Sequence, residues 1–410
     1  MKILFLTNLL PYPLDNGGKI KTYNTLSSLS EAGHEIDLIC FTEEKNIRKD
    51  YEIEMKQLCR NVEQIYLKLT TAENMSYMMK LAMKSLFSSY SFGLYKYQSK
   101  EMKQKLEQVC RDNDYEYIYF DHLQLCVYKD YLKKVLPNAK MILDEHNCEA
   151  LIMSRNANET SNKFKKVFLQ IESKKLGKFE SRMLDEMDIN IVLSEEDYQE
   201  LKRQHKGDFK HVIIPIGVQD RGIKKHIEKE KDILNLLFIG TLTWEPNNQG
   251  LVWFLKNVMP LLEKGKFKFY IVGKNPSMEV CELVKQYDNI TVTGYVESVD
   301  EYYEKCDCMV VPLFIGSGQR VKLIESFSKG MPSISTKIGA EGLDIKDHEN
   351  ILIANTAEEF KEAINEMNSC SVRTTLSNKA RECYEDNYSP KAVSKKINNV
   401  IEQLEDRDND

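Results

Sequence analysis

Short apolar runs alternate with longer helical patterns along almost the whole chain, and this alternation limits its fold more than any other feature. Ile3–Thr7, Glu35–Cys40, Val62–Leu67, Tyr115–Phe120, Met141–Asp144 and Ile189–Leu193 read as buried strands. Between the first two, Lys19–Ala32 carries Ile20, Tyr23, Leu26 and Leu29 at three-residue steps, a helical stripe that Gly33 stops. Strand and helix in regular order give an α/β fold, a parallel sheet wound with helices on both faces. The series restarts after about residue 215 with Leu234–Gly240, Phe267–Val272, Ile290–Val292, Cys308–Pro312 and Ser333–Ser335. Gly222–Asp232, dense in Lys and Glu, is the expected boundary loop.

At 410 residues the chain exceeds one ordinary core. It is expected to divide into an N-terminal domain, 1–215, a C-terminal domain, 216–388, and a closing helix and tail, 389–410. Ser389–Leu404 has helical spacing, and Glu405–Asp410 is expected to be disordered. Two α/β units are expected to leave a cleft facing the carboxyl ends of both sheets, so function belongs in loops that follow strands.

Composition narrows the function classes. Charged residues make up 29% of the chain and the formal net charge is -6, which argues against a nucleic-acid partner that would demand an excess of Lys and Arg. The ten cysteines form no CxxC pair; the close pair Cys306 and Cys308 lies in a strand-like run, so buried thiols fit better than a zinc site. The apolar start Met1–Leu6 is broken by Asn8, Pro11, Pro13 and Asp15 and reads as a first strand, not a leader. No apolar stretch approaches twenty residues, and a cytoplasmic protein is expected.

Two loops carry chemistry. Asn8–Gly18 follows the first strand and ends in Gly17-Gly18 at a helix start, where backbone N–H groups and the helix dipole attract an anion. The GxGxxG and GxxxxGK[ST] fingerprints are absent from it, so NAD and ATP chemistry lose ground. The second loop is stronger: Pro312-Leu313-Phe314-Ile315-Gly316-Ser317-Gly318-Gln319-Arg320-Val321-Lys322-Leu323-Ile324-Glu325 runs from a strand end through glycines into a helix expected to begin near Gln319. Backbone donors at Gly318 and the helix start suit a diphosphate, Arg320 and Lys322 add positive charge, and Glu325 is placed to accept from a ribose diol.

This segment resembles the nucleotide-sugar site of glycosyltransferase family 4, retaining enzymes with the GT-B fold. Gly330-Met331-Pro332-Ser333-Ile334-Ser335-Thr336, Gly339-Ala340-Glu341-Gly342, the Gly17-Gly18 loop, Asp144-Glu145-His146-Asn147 and the Gly240 strand end continue the likeness. It implies two facing Rossmann-like parallel-sheet domains with the C-terminal helix packing back on the N-terminal one. It also implies a retaining transfer from a nucleotide-diphosphate sugar, commonly UDP-linked, to a glycan or lipid-linked acceptor, in bacterial cell-surface polysaccharide synthesis. Rival readings are a nucleotide-sugar 2-epimerase and a non-catalytic nucleotide-sugar-binding subunit.

The resemblance places Gly17, Gly18, Thr241, Gly316, Ser317, Gly318, Arg320, Lys322, Leu323 and Glu325 on the donor side. His122 is the catalytic-side histidine, with Asp121 as the adjacent alternative, and His146 lines the acceptor side. Two departures stand out. Ser317 occupies the place where many members carry a first glutamate, and Thr241 follows Gly240 where many carry an arginine, so Arg320 and Lys322 are expected to supply the phosphate charge. No metal or other cofactor is expected, because fixed cations and helix N-termini can stabilise the departing diphosphate. Asp112-Asn113-Asp114 spells a DxD pattern but precedes its strand, the wrong end for a site. The stretch Met75–Lys105 mixes Met75, Met78, Met79, Leu81, Met83 and Leu86 with lysines, a core-facing pattern that also suits peripheral contact with the inner face of a membrane.

Overall fold

A computed structural model of the chain describes residues 1–43, 49–67, 75–220, 222, 232–316 and 318–406. It divides into two compact units: Met1–Ile216 together with the segment that begins at Ser394, and Gly217–Val393. The closing helix runs Pro390–Asp406, so its length after Ser394 belongs with the first unit. Glu405 and Asp406, expected in a disordered tail, close that helix.

The first unit is built on a seven-stranded sheet, ordered β3-β2-β1-β4-β5-β6-β7. The strands are β1 (Lys2–Thr7), β2 (Glu35–Thr42), β3 (Asn61–Tyr66), β4 (Tyr117–Asp121), β5 (Lys140–Asp144), β6 (Ile189–Val192) and β7 (His211–Ile213). Every pairing is parallel. Burial on both faces requires near-continuous apolar strands, and Ile3, Leu4, Phe5 and Leu6 are all fully buried. Phe5 stacks on Tyr119 of β4 with ring centroids 4.5 Å apart. Asn16 caps the helix Gly17–Glu31, its side chain accepting from Lys19 N at 3.0 Å, so the helix starts two residues earlier than its apolar stripe suggests.

The second unit holds a six-stranded sheet, ordered β10-β9-β8-β11-β12-β13. Its strands are β8 (Leu234–Ile239), β9 (Phe267–Val272), β10 (Ile290–Gly294), β11 (Cys308–Val311), β12 (Ser333–Ser335) and β13 (Leu352–Ile353), all parallel. The expected boundary loop lies outside the described residues except for Gly222 and Asp232.

In each sheet the strand order reverses at one place, between β1 and β4 and between β8 and β11. In open parallel sheets ligands bind beyond the carboxyl ends of the strands at such a point. Register places three polar residues together at the carboxyl ends of β1, β4 and β5: Thr7 pairs with Asp121, and Asp121 with Asp144.

Candidate functional site

In the first unit, Asp121 ends β4 fully buried and gathers the side chains around it. Its Oδ2 accepts from Thr7 Oγ1 at 2.6 Å and from Thr22 Oγ1 at 2.8 Å, and its Oδ1 accepts from His146 Nε2 at 2.7 Å. His122 Nδ1 lies 3.1 Å from Oδ2 and 2.6 Å from the Asp121 carbonyl oxygen. The two imidazoles stack with centroids 3.7 Å apart. His122 sits at φ +93° and ψ 141°, a region that side chains rarely adopt and that marks a position held by its surroundings.

This arrangement splits the protonation of the pair. Burial alone would lower His122, but Asp121 overrides it and raises the imidazole above its ordinary value. His146 is pushed down to about 4 by burial and by His122, against the pull of Asp121. Burial opposes the ionisation of Asp121, and the charges of His146 and His122 outweigh it, holding the carboxyl well below the usual range. Asp121 therefore favours the protonated form of His122, in which Nε2–H is a donor, while His146 uses Nε2–H on Asp121 and keeps Nδ1 as an acceptor.

Both outer nitrogens look towards the glycine pair at the start of the helix Gly17–Glu31. A Cβ built on Gly18 would stand 3.9 Å from His146 Nδ1 and 4.0 Å from His122 Nε2. Gly17 and Gly18 open the helix, and Gly18 has both imidazole nitrogens beside it. The structure thus brings Gly18, Asp121, His122 and His146 together, and it casts Asp121 as the group that orients both histidines. Asp121, His122 and His146 also have the composition of a metal site. Three hydrogen bonds from Thr7, Thr22 and His146 already occupy the Asp121 oxygens, which leaves the cluster better fitted to holding protons than an ion.

Further buried groups in this corner gain their partners only in the fold. Lys21 pairs with Asp144 Oδ1, and Tyr119 Oη donates to Asp144 Oδ2 at 2.7 Å. Glu145 is 2% exposed with neither carboxyl oxygen hydrogen-bonded, and burial, followed by Glu180 and Glu149, raises it well above the carboxylate range. Glu180 accepts from Glu149 N at 2.9 Å, capping the start of the helix Glu149–Glu159. Lys21 lies off the apolar stripe of its helix, and its partner on β5 stands 123 residues away, beyond a local reading.

In the second unit the glycine loop follows β11 and leads into the helix Val321–Ser328, one residue beyond Arg320, which occupies the N-cap position. Gly316 has φ +122°, and a Cβ there would come within 2.6 Å of Arg320 Nη2, so the guanidinium packs against bare backbone. Arg320 is 6% exposed and lies 5.6 Å from the Trp244 ring centroid. Gly318 also has positive φ, +76°. Gln319 Nε2 donates to Gly342 O at 2.7 Å, which ties the loop to the downstream Gly339–Gly342 run. Lys322 Nζ donates to Asn247 Oδ1 at 2.8 Å, and burial followed by Arg320 brings its amine down to about 7, against the pull of Glu325.

The remaining donor-side expectations fall as follows. Thr241 is exposed after β8, and Glu325 is half-buried in the second turn of the helix. Leu323 is fully buried, and its N–H donates to Arg320 O at 2.8 Å at the helix start. Ser317 lies outside the described residues. Asn113, in the DxD pattern, accepts from Arg60 Nη2 at 3.0 Å at the opposite end of the sheet from Asp121.

Residues 234–369 match the family described as glycosyl transferases group 1. The matched stretch lies wholly within the second unit. Over its full length the chain is 25% identical to a protein of Klebsiella pneumoniae described as an uncharacterised 44.6 kDa protein in the cps region, covering 97% of this chain and 98% of that one. Among solved structures it is similar to sucrose-phosphate synthase from Thermosynechococcus elongatus, with TM-score 0.69, 15% identity, and 98% and 99% of the two chains covered. It is similar also to HepE from Anabaena in complex with UDP-glucose, with TM-score 0.63, 12% identity, and 98% and 100% covered. The two parallel-sheet α/β units are those of the GT-B fold.

Proposed function

We propose that the chain is a retaining glycosyltransferase of the family 4 type, moving a sugar from a nucleotide-diphosphate donor to a glycan or lipid-linked acceptor in cell-surface polysaccharide synthesis. The observation that carries this reading is the glycine loop after β11, where Arg320 and Lys322 stand at the start of a helix beside glycine backbone. A leaving nucleoside diphosphate gains negative charge as the glycosidic bond breaks, and two cations with a helix N-terminus stabilise that charge without a metal. Relatives add support for the donor and the setting: HepE is solved with UDP-glucose, and the Klebsiella pneumoniae protein lies in a cps region.

In the first unit the Asp121-oriented histidines supply one hydrogen-bond donor and one acceptor, which suits sugar hydroxyls. His122 takes the donor sugar and His146 the acceptor side in this reading. Incubation with a panel of nucleotide sugars, followed by mass spectrometry, tests it. Transfer or slow donor hydrolysis that R320A/K322A abolishes, and that EDTA leaves intact, supports the reading. An isomerised donor would make the chain a 2-epimerase, and binding without turnover a non-catalytic subunit.

Membrane contact belongs to the same proposal. No helix among the described residues is long and apolar enough to cross a membrane. The helix Met75–Leu86 and the residue after it nevertheless expose Met79, Met83, Leu86 and Phe87, while Met75 and Met78 have side chains outside the described residues. Lys175 Nζ donates to Ser85 O at 2.6 Å and so joins this helix to Lys163–Glu186, which exposes Phe164, Val167 and Ile171. Exposed Lys80, Lys84, Lys163, Lys165, Lys174 and Lys178 lie on the same two helices, a composition complementary to an anionic bilayer. Flotation with phosphatidylglycerol vesicles tests it: the wild type floats, and F87S/F164S stays at the bottom of the gradient. A wild type that does not float removes the contact.

A further inference from the structure

Asn247 lies in the first turn of the helix Glu245–Asn257, is 4% exposed, and reaches two neighbouring elements with its one amide. Its Nδ2 donates to Thr241 O at 3.0 Å beyond the end of β8, and its Oδ1 accepts from Lys322 Nζ at 2.8 Å. These two partners fix which way the amide faces, because only the NH2 can meet a carbonyl and only the oxygen can meet an amine. Lys322 Nζ also rests 4.8 Å from the Phe238 ring centroid. A Cβ on Gly240 would come within 2.6 Å of Asn247 Nδ2 and 2.9 Å of Lys322 Nζ, so amide and amine both press on the same bare backbone.

The charged groups facing Lys322 are Arg320 and Glu325, flanking it in sequence. Lys322 meets Phe238 from β8, Gly240 just beyond it, and Asn247 from the helix Glu245–Asn257; none of these ionises. The residue that holds the amine in place is therefore neutral. A carboxylate at the same point would hold an ammonium more firmly, but it would cancel the charge and turn a second acceptor towards Thr241 O.

On the reading of this segment as a donor diphosphate site, we propose that Asn247 is a positioning residue: it pins Lys322 against the end of β8 through a neutral acceptor and so leaves the ammonium charge for the diphosphate. Binding then draws a proton onto Lys322, and donor affinity depends on pH.

Calorimetry tests this with UDP-glucose, GDP-mannose, ADP-glucose and TDP-glucose, whose diphosphate diesters do not titrate between pH 6 and 9. For the tightest of them, wild-type affinity should hold level to pH ~7 and then fall about tenfold per pH unit as Lys322 loses its proton. N247D should bind about tenfold more weakly at pH 7, with the break moved to higher pH because the new carboxylate stabilises the ammonium. N247A should also bind more weakly, with the break moved to lower pH because the ammonium has lost its acceptor. Breaks displaced in opposite directions support a positioning role; variants that match the wild type, or that weaken binding with the break unmoved, overturn it. A wild type that binds none of the four sugars overturns the donor reading itself, before any variant is compared.

Discussion

Replacing His146 by Gln isolates the titration of the stacked imidazole pair, because a Gln amide can still donate towards Asp121 Oδ1. In the folded chain His146 sits at about 4, against an ordinary value of 6.5, through burial and the neighbouring His122. Its folded value is depressed, so the stability it contributes is fully present above pH 6.5 and is lost as pH falls towards 4. A gap of 6.5 minus about 4 is roughly 2.5 pH units; at ~1.4 kcal/mol each it gives ~3 kcal/mol. Wild type should therefore lose ~3 kcal/mol relative to H146Q between pH 7 and pH 4. Urea unfolding at stepped pH, followed by circular dichroism, measures the difference. Hydrogen exchange on peptides from β4 and β5 assigns it to the first unit. Both tryptophans, Trp244 and Trp253, belong to the second unit, so their fluorescence transition serves as an internal control. A stability difference between wild type and H146Q that stays constant across this range would refute the reasoning.

Two further substitutions test single features of the two sites. Glu180 is raised to about 8 by burial and by Glu149, so the folded chain holds a proton there that the unfolded chain releases above pH 4.5, and stability falls as pH rises from 4.5 to about 8. E180Q should flatten that decline when melting temperature is followed by calorimetry; an unchanged slope would contradict a protonated Glu180. G316A places a Cβ 2.6 Å from Arg320 Nη2 at a φ of +122°, which should cost ~1–2 kcal/mol of stability and displace the guanidinium. Thermal shift should register a drop of a few degrees, together with weaker nucleotide-sugar binding; an unchanged melting temperature would deny the close contact.

How much of this was legible in the sequence depended on where each signal lives. Buried parallel strands announce themselves as apolar runs, so β1, β2 and β8 are plain from Ile3, Ile36 and Leu236 and their neighbours. The strands β7 and β13 are not, since three and two residues carry no pattern of their own and exist only through pairing with β6 and β12. The helix start at Gly17 was obscured by two residues of poor helix propensity, and the Asn16 cap decides it. The burial of Leu323, between Lys322 and Glu325, follows from the face its helix turns to the core and shows only in the fold. The glycine loop and its cations are local and could be read directly. Lys21 and Asn247 could not, because each gains its role from a partner far along the chain: Asp144 for the first, Lys322 for the second.

The central claim is that the loop after β11 binds the diphosphate of a sugar donor and serves its transfer. Mass spectrometry of products formed from a nucleotide-sugar panel, for wild type and R320A/K322A side by side, tests it most directly. The account predicts a released nucleoside diphosphate with the sugar passed to an acceptor or to water, and loss of that product in the double variant. Turnover undiminished in R320A/K322A would contradict it.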